Sequence, residues 1–395
     1  MIHRPNLLRS RESHARVTFV ELFFDLVFVF AVTQLSHTLL EHLSFVGALQ
    51  TLFLLLAVWW VWMYTCWFTN WVDPDRPSVR MMIFALMLAG LLLSASLPHA
   101  FDGEALLFAS AYVFSQVVRS AFMLWATHGH DHVNFHNFRR IICWLAFSGV
   151  FWLAGGFAPG STRVVLWVVA LAIECAGPFA GFYVPGFGRS GTADWRVDGA
   201  HMAERSALFV IIALGESILV TGATAAALPA TSGNIAAFLV AFIGSVAMWW
   251  IYFNIGAERG SHQIAHSADP GRIARAVYTY FHIPIVAGIV VSAVADELTI
   301  THPGGHMDLS AAMVLLGGPA LYLAGNVFFK RASAKYYPLS HLVGLGMLAL
   351  LAPLAMFMTP LALGAATTVV LVAVAIWETR SFRSVPGRET GKTHV

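Results

Sequence analysis

Charge is what this chain has least of. Of its 395 residues 11% are Asp, Glu, Lys or Arg and 58% are hydrophobic, whereas an ordinary soluble domain is about 25% charged. A water-soluble enzyme, a disordered chain or a nucleic-acid binder of this length would need far more charge, so those classes are excluded. The net charge of +2 is too small to mark a polyanion partner, and no nucleic acid is expected. Cysteine is also scarce. Cys66, Cys143 and Cys175 lie in apolar runs, form no Cys-x-x-Cys pair and build no disulfide framework. The N-terminus, MIHRPNLLRSRESHAR, lacks the short apolar core and small-residue cleavage site of a signal peptide. It is therefore expected to stay in the mature protein.

Long apolar runs take the place of charge. A spanning helix needs about 20 mostly apolar residues. Runs of that kind predict about twelve spans, near Val17–Leu39, Phe45–Thr69, Val79–Leu97, Glu104–Thr127, Ile141–Phe157, Val164–Val184, Ala203–Ala225, Ile235–Ala257, Ala276–Ala295, Leu309–Phe329, Leu339–Met358 and Ala362–Trp377. A lipid-facing span must satisfy its own backbone, and the runs show no period-2 alternation, so they read as helices. The fold class is an all-α polytopic membrane protein in contact with the lipid bilayer. With the N-terminus placed inside, 20 of the 23 basic residues fall on inward segments. Only Arg163 falls outside, and Arg119 and Arg205 lie within spans. This bias predicts an even span count with both termini cytoplasmic.

The two halves resemble each other. AVWWVWMY (Ala57–Tyr64) is matched by AMWWIYF (Ala247–Phe253), AGLLLSAS (Ala89–Ser96) by AGIVVSAV (Ala287–Val294), and VVALAIE ending at Glu174 by VAVAIWE ending at Glu378. Glu21 and Glu204 begin the first and seventh spans. The offsets, 183, 190, 198 and 204, rise in chain order, as small loop insertions would make them. The expected organisation is a cytoplasmic segment (1–16), a first six-helix repeat (17–185), a linker (186–202), a second six-helix repeat (203–378) and a cytoplasmic tail (379–395). Six spans per half makes the repeats parallel. Transporters build sites at such repeat interfaces, and channels use repeats as well.

Ionisable groups inside spans cost about 2.5–3.5 kcal/mol each on insertion scales and are normally paired or face a polar cavity. Glu21 and Asp25 are four apart and share one helix face. They read either as an interfacial cap or salt bridge, with Arg16 as partner, or as a cation or proton site. Glu204 and Arg205 open the seventh span and read as pairing groups. Glu216 lies near mid-membrane in LGES (Leu214–Ser217), where Gly215 would admit a neighbouring helix. Arg119 is its expected counter-charge, and Glu174 a second candidate partner. His282, before Pro284, reads as a proton relay or as a hydrogen-bonded structural histidine. The aromatic runs at Trp59, Trp60, Trp62 and Trp67 and at Trp249, Trp250 and Tyr252 read first as an interfacial belt, second as a cation–π vestibule.

The chain has 17 histidines. His128, His130, His132 and His136 crowd one inward loop, and His262 and His266 another. The His-x-x-x-His spacing would put two imidazoles on one helix face, as a metal site needs. That pattern resembles the clustered histidines of di-iron lipid desaturases and hydroxylases, but there is no His-x-x-His-His box. A solvated polar loop is the plainer reading.

VTFVELFFDLVFVFAVTQLSH (Val17–His37) and HMAERSALFVIIALGESIL (His201–Leu219) resemble the two signatures of the bacterial low temperature requirement protein A (LtrA) family. WWIYF (Trp249–Phe253) and HIPIVAGIVVSAV (His282–Val294) are similar to that family as well. Asn254 stands where the family pattern favours Asp. The resemblance covers nearly the whole chain and implies a bacterial inner-membrane protein linked by name to growth in the cold, but it supplies no reaction. FFDLVFVFAVTQL (Phe23–Leu35) is more faintly similar to lysosomal and bacterial potassium channels, with Phe24 in place of the serine of their signature. The leading expectation is a transporter or channel for a small solute or ion that uses intramembrane carboxylates. The alternatives are a lipid-modifying metalloenzyme and a non-catalytic lipid-binding or sensing protein. No cofactor is specified, and a homo-oligomer is left open.

Overall fold

The computed structural model describes residues 6–9, 16–191, 195, 197–254, 275–334 and 337–383. Among them twelve helical segments are long and apolar enough to cross a membrane. These are α1 (Phe19–Glu41), α2 (Phe45–Trp71), α3 (Pro77–Ala95), α4 (Ala105–Thr127), α5 (His132–Phe157), α6 (Gly160–Phe179), α7 (Gly199–Ala227), α8 (Ser232–Phe253), α9 (His282–Thr301), α10 (Leu309–Ala334), α11 (Leu339–Leu351) and α12 (Pro360–Arg383). A π-helical turn, Arg275–Tyr280, leads into α9, and a 3-10 turn, Ala352–Phe357, extends α11 past Pro353. No β-strand occurs among the described residues. The number and order of spans agree with the apolar runs.

The helix ends differ from the apolar runs where polar capping chemistry takes over. Asp131 accepts from the Asn134 amide, so α5 starts at His132 and not at Ile141. Asp198 accepts from the amides of Ala200 and His201, so α7 starts at Gly199 and Arg205 lies about two turns inside it. Conversely α6 stops at Phe179 rather than running to Val184, because Gly181 turns the chain with φ 59°. The capped first turns are polar, which is why hydropathy alone misses them.

The span leading into and including α9 is the most enclosed, with 67% of its window buried, while α6 and the α11 span, at 28%, lie on the perimeter. The helix α1 packs on α2 and α3 from its own half and on α7 and α9 from the other. Large apolar side chains such as Phe19, Phe45, Phe147, Leu350 and Phe357 stay exposed, as a lipid-facing surface requires. The tryptophans of α2 do not form the expected belt. Trp59, Trp60 and Trp62 are buried, with Trp59 edge-on to Phe209 of α7 at 5.4 Å. They fill the space where α2 runs between the two halves. Trp249 and Trp250, on α8, are exposed as a belt requires. At the far ends of α5 and α6, Arg163 donates to the carbonyls of Gly155 (3.3 Å), Ala158 (3.1 Å) and Asp102 (3.0 Å) and to that of Phe101.

The helices α9 and α10 approach each other closely. A Cβ at Gly288 would lie 2.5 Å from the Tyr322 amide nitrogen, and one at Gly318 would lie 2.8 Å from that of Ser292. Small residues let these backbones touch. At Gly222 of α7, by contrast, a Cβ would meet nothing within 4 Å. Gly288→Ala is therefore expected to lose about 1–3 kcal/mol through overpacking, and Gly222→Ala to lose nothing. Thermal unfolding of the detergent-solubilised variants checks this, and equal melting temperatures would contradict the close approach.

Candidate functional site

Three of the residues singled out for intramembrane charge, Glu21, Asp25 and Arg205, meet at one place, where the start of α1 faces the start of α7. Glu21 is the third residue of α1, and its Oε2 accepts from the Thr18 amide and hydroxyl, each at 2.9 Å. The same oxygen accepts from Arg9 at 2.9 Å. Its Oε1 accepts from His201 Nε2 at 2.8 Å. The other ring nitrogen of His201 accepts from Asn70 at 3.2 Å, which suits a neutral imidazole that donates through Nε2. One turn further along, Asp25 Oδ1 accepts from Arg205 at 2.7 Å and from the Trp62 indole at 2.8 Å. Arg205 also lies 3.9 Å from Glu21. The side chains of Glu21, Asp25, Trp62, Asn70, His201 and Arg205 are buried, and those of Thr18 and Arg9 are partly exposed. The expected cap and salt bridge of Glu21 are both present, but the guanidinium comes from Arg9. Arg16 contributes only its carbonyl, which accepts from Arg9. Each of the two carboxylates has its own cationic or histidine donor.

Arg9 reaches this site because the N-terminal segment lies along the end of α2. Its amide donates to the Trp71 carbonyl (2.9 Å), and the Asp73 amide donates to the Leu7 carbonyl (2.8 Å). Glu204 stays exposed on α7, where it accepts from the Val17 amide at 3.3 Å.

The other candidates separate from this network. Glu174, buried on α6, accepts from Tyr112 (2.6 Å), Gln116 (3.0 Å), Ser148 (2.7 Å) and Trp152 (2.9 Å), all uncharged donors. Arg119 does not pair with Glu216. It donates to the oxygens of Gln116, Thr65 and Val61, so Gln116 links it to Glu174. Glu216 is buried on α7 and forms no ion pair among the described residues. A Cβ at Gly215 would meet nothing within 4 Å, so this glycine does not admit a close helix as expected. His282 is satisfied structurally: it meets the Tyr252 hydroxyl at 2.8 Å and the Val277 carbonyl of the π turn at 2.8 Å.

The second half holds a buried pair absent from the expected set. Lys330 of α10 donates to both oxygens of Glu378 on α12, at 2.6 and 2.8 Å, and to the Ile251 carbonyl at 3.0 Å, with His341 of α11 at 3.2 Å. Lys330 neighbours Arg331 and so reads as a loop cation in the sequence. Its one signal is the match between Glu378 and Glu174.

The histidines gather no metal site among the described residues: no group of three or more His, Cys, Asp and Glu side chains converges there. His128 and His130 are exposed on the loop, and His132 and His136 on the first turns of α5. His262 and His266 lie outside the described residues. Asn254 donates to Thr379 at 2.9 Å, as an uncharged tie between α8 and α12.

A cavity of about 320 Å³ opens among the ends of α2 and α5, the loop after α6 and the π turn before α9, with Arg119 in its lining. Its rim is a built turn. Arg140 donates to the Phe187 carbonyl (2.8 Å), Ser190 to Asn137 (2.7 Å) and Trp144 to the Tyr183 carbonyl (3.0 Å). Arg275, on the π turn, donates to the Pro178 carbonyl at 2.6 Å and so ties the second half to α6.

Breaking a buried ion pair by removing one partner costs about 3–5 kcal/mol, because the other charge is stranded. Arg205→Met is expected to lose about that much, and the double variant Asp25→Leu/Arg205→Met markedly less than the sum of the two single changes. A double-mutant cycle on thermal unfolding measures the coupling, and simple additivity would show that the pair is energetically silent.

The matches to known proteins run along the whole bundle. The model of the family described as bacterial low temperature requirement A protein (LtrA) matches residues 16–376. A protein of Rhizobium meliloti (strain 1021), described as uncharacterized, is 41% identical over 376 residues, covering 95% of this chain and 92% of that one. No solved structure matches. With the family model spanning Glu21, Asp25, His201 and Arg205, the cavity lining and nearly every span, the chain belongs to the bacterial low temperature requirement A family.

Proposed function

We propose that this multi-pass membrane protein is a transporter for a small solute or ion in the bacterial inner membrane, with both termini cytoplasmic. The observation that carries this reading is the cavity. It starts at the bundle end that holds most of the arginines, and it reaches Arg119, about two turns inside α4. A pocket that penetrates the span region gives a solute an entry that a purely structural bundle would fill. The α1–α7 charge network is the joint about which the two halves would rock, and Glu216 is the buried carboxylate left to exchange a proton. The similar placement of Tyr112, Gln116 and Glu174 in one half and of Tyr322, Asn326 and Glu378 in the other supports parallel repeats. Each set puts a tyrosine and an amide four apart on the fourth helix and a buried glutamate on the sixth.

Uptake into proteoliposomes under imposed pH and potassium gradients tests this, with radiolabelled rubidium, benzoate and methylammonium as probes. Protein-dependent uptake of at least one probe is expected. Glu216→Gln should lower it at least tenfold without changing the melting temperature. Uptake of all three at the level of empty vesicles would sink the transport reading. Unchanged uptake in Glu216→Gln would remove the role of that residue.

A further inference from the structure

The chemistry of the cavity selects among solutes. Among the described residues its charged lining is Arg119, Arg189 and Arg275, with no Asp or Glu. Arg119 is buried, and no carboxylate among the described residues lies within salt-bridge distance of it. The nearest linked carboxylate, Glu174, is already held by four donors through Gln116 and its neighbours. A buried cation without a counter-ion is costly, and an incoming anion would relieve that cost.

The uncharged polar groups point the same way. The indole N–H of Trp60 and the hydroxyl of Tyr64, both in the lining, have no hydrogen-bond partner among the described residues. Indole and guanidinium groups can donate but cannot accept. The set therefore suits a ligand made of acceptors, which a carboxylate is. It does not suit a cation. Two of the aromatic faces that could attract one already sit near the protein's own guanidiniums, Arg119 at 5.2 Å from the Tyr64 ring centre and Arg275 at 5.9 Å from that of Phe179.

The remaining lining fixes the body of the ligand. Trp67, Trp71 and Trp195 meet one another with ring centres 5.6–6.4 Å apart. Their indoles, with Phe138 and Phe182, form apolar walls. A volume of about 320 Å³ is at the low end for small-molecule pockets, about 300–1,000 Å³, enough for one or two rings. We propose that this cavity binds an organic anion with a flat apolar body, of which an aromatic carboxylate is the simplest case. As the identity of the transported solute, this rests on the transport reading; as a binding site it does not.

The test is calorimetric titration of the full chain in phosphatidylcholine nanodiscs, with empty discs as blank. The probes are 2-naphthoate, the neutral 2-naphthamide and the cationic 2-naphthylmethylammonium. Naphthoate is expected to bind at least tenfold more tightly than either analogue. Arg119→Gln should remove that preference. Arg189→Gln, at an exposed position, and Trp60→Phe, which keeps an aromatic ring, should each weaken naphthoate several-fold while leaving naphthamide unchanged. Phosphatidylglycerol discs separate the sources of the anion. Competition with naphthoate would assign the site to an anionic lipid headgroup, and no competition to a soluble aromatic anion. Equal binding of the three probes, no naphthoate binding in phosphatidylcholine discs, or an unchanged preference in all three variants would overturn the assignment. Naphthoate binding together with uptake of all three vesicle probes at the empty-vesicle level would instead refute transport and leave the site standing.

Discussion

Arg205 is a cation placed where no water reaches it, and the packing of the two halves depends on how it is neutralised. A guanidinium does not shed its proton, so α7 can be buried only if a neighbour supplies negative charge. Asp25 does so directly and Glu21 from slightly farther off. Because both carboxylates stand on α1, charge neutrality forces α1 and α7 side by side. The rest follows from that contact. Trp62 fills the space beside the pair, Phe209 packs on it at 4.3 Å, and α2 is drawn between the halves. Arg9 and His201 then close the remaining valences of Glu21.

Elsewhere the chain handles buried charge differently. Glu174 is held by uncharged donors alone, whereas Glu378 is neutralised by Lys330. One carboxylate is thus solvated by the protein, and the other is paired. Arg119 sits between these cases, with oxygen partners but no anion among the described residues. This asymmetry gives the cavity its sign. The same bundle carries a sealed ionic clamp at α1–α7 and, toward α6, an open pocket with positive charge to spare.

Much of the fold is legible in the sequence because each span must satisfy its own backbone within about 20 apolar residues. The charged residues of the clamp are also legible, since Glu21, Asp25 and Arg205 stand out against apolar neighbours. Their pairing is not. Asp25 and Arg205 are 180 positions apart, and no local pattern joins them. Arg9 hides in a polar segment that has no helical period, and Lys330 hides beside Arg331 at what looks like a loop. The α2 tryptophans mislead in the opposite direction. Their place near a span end suggests a lipid interface, while the meeting of the two halves encloses them. Arg189 and Arg275 pass for ordinary topogenic arginines, because only the folded turn after α6 brings them to one cavity.

The separation of Asp25 from Arg205 also has a meaning in time. At about 5–20 residues per second, the ribosome would need on the order of 10–40 s to make the intervening 180 residues. During that interval α1 would have to enter the bilayer with the carboxylate of Asp25 lacking its guanidinium. A helix bearing such a charge is poorly soluble in lipid. The nascent first span would therefore wait in a hydrated or assisted setting until α7 emerges. The last contact of the clamp to form is the one that makes its first helix at home in the membrane.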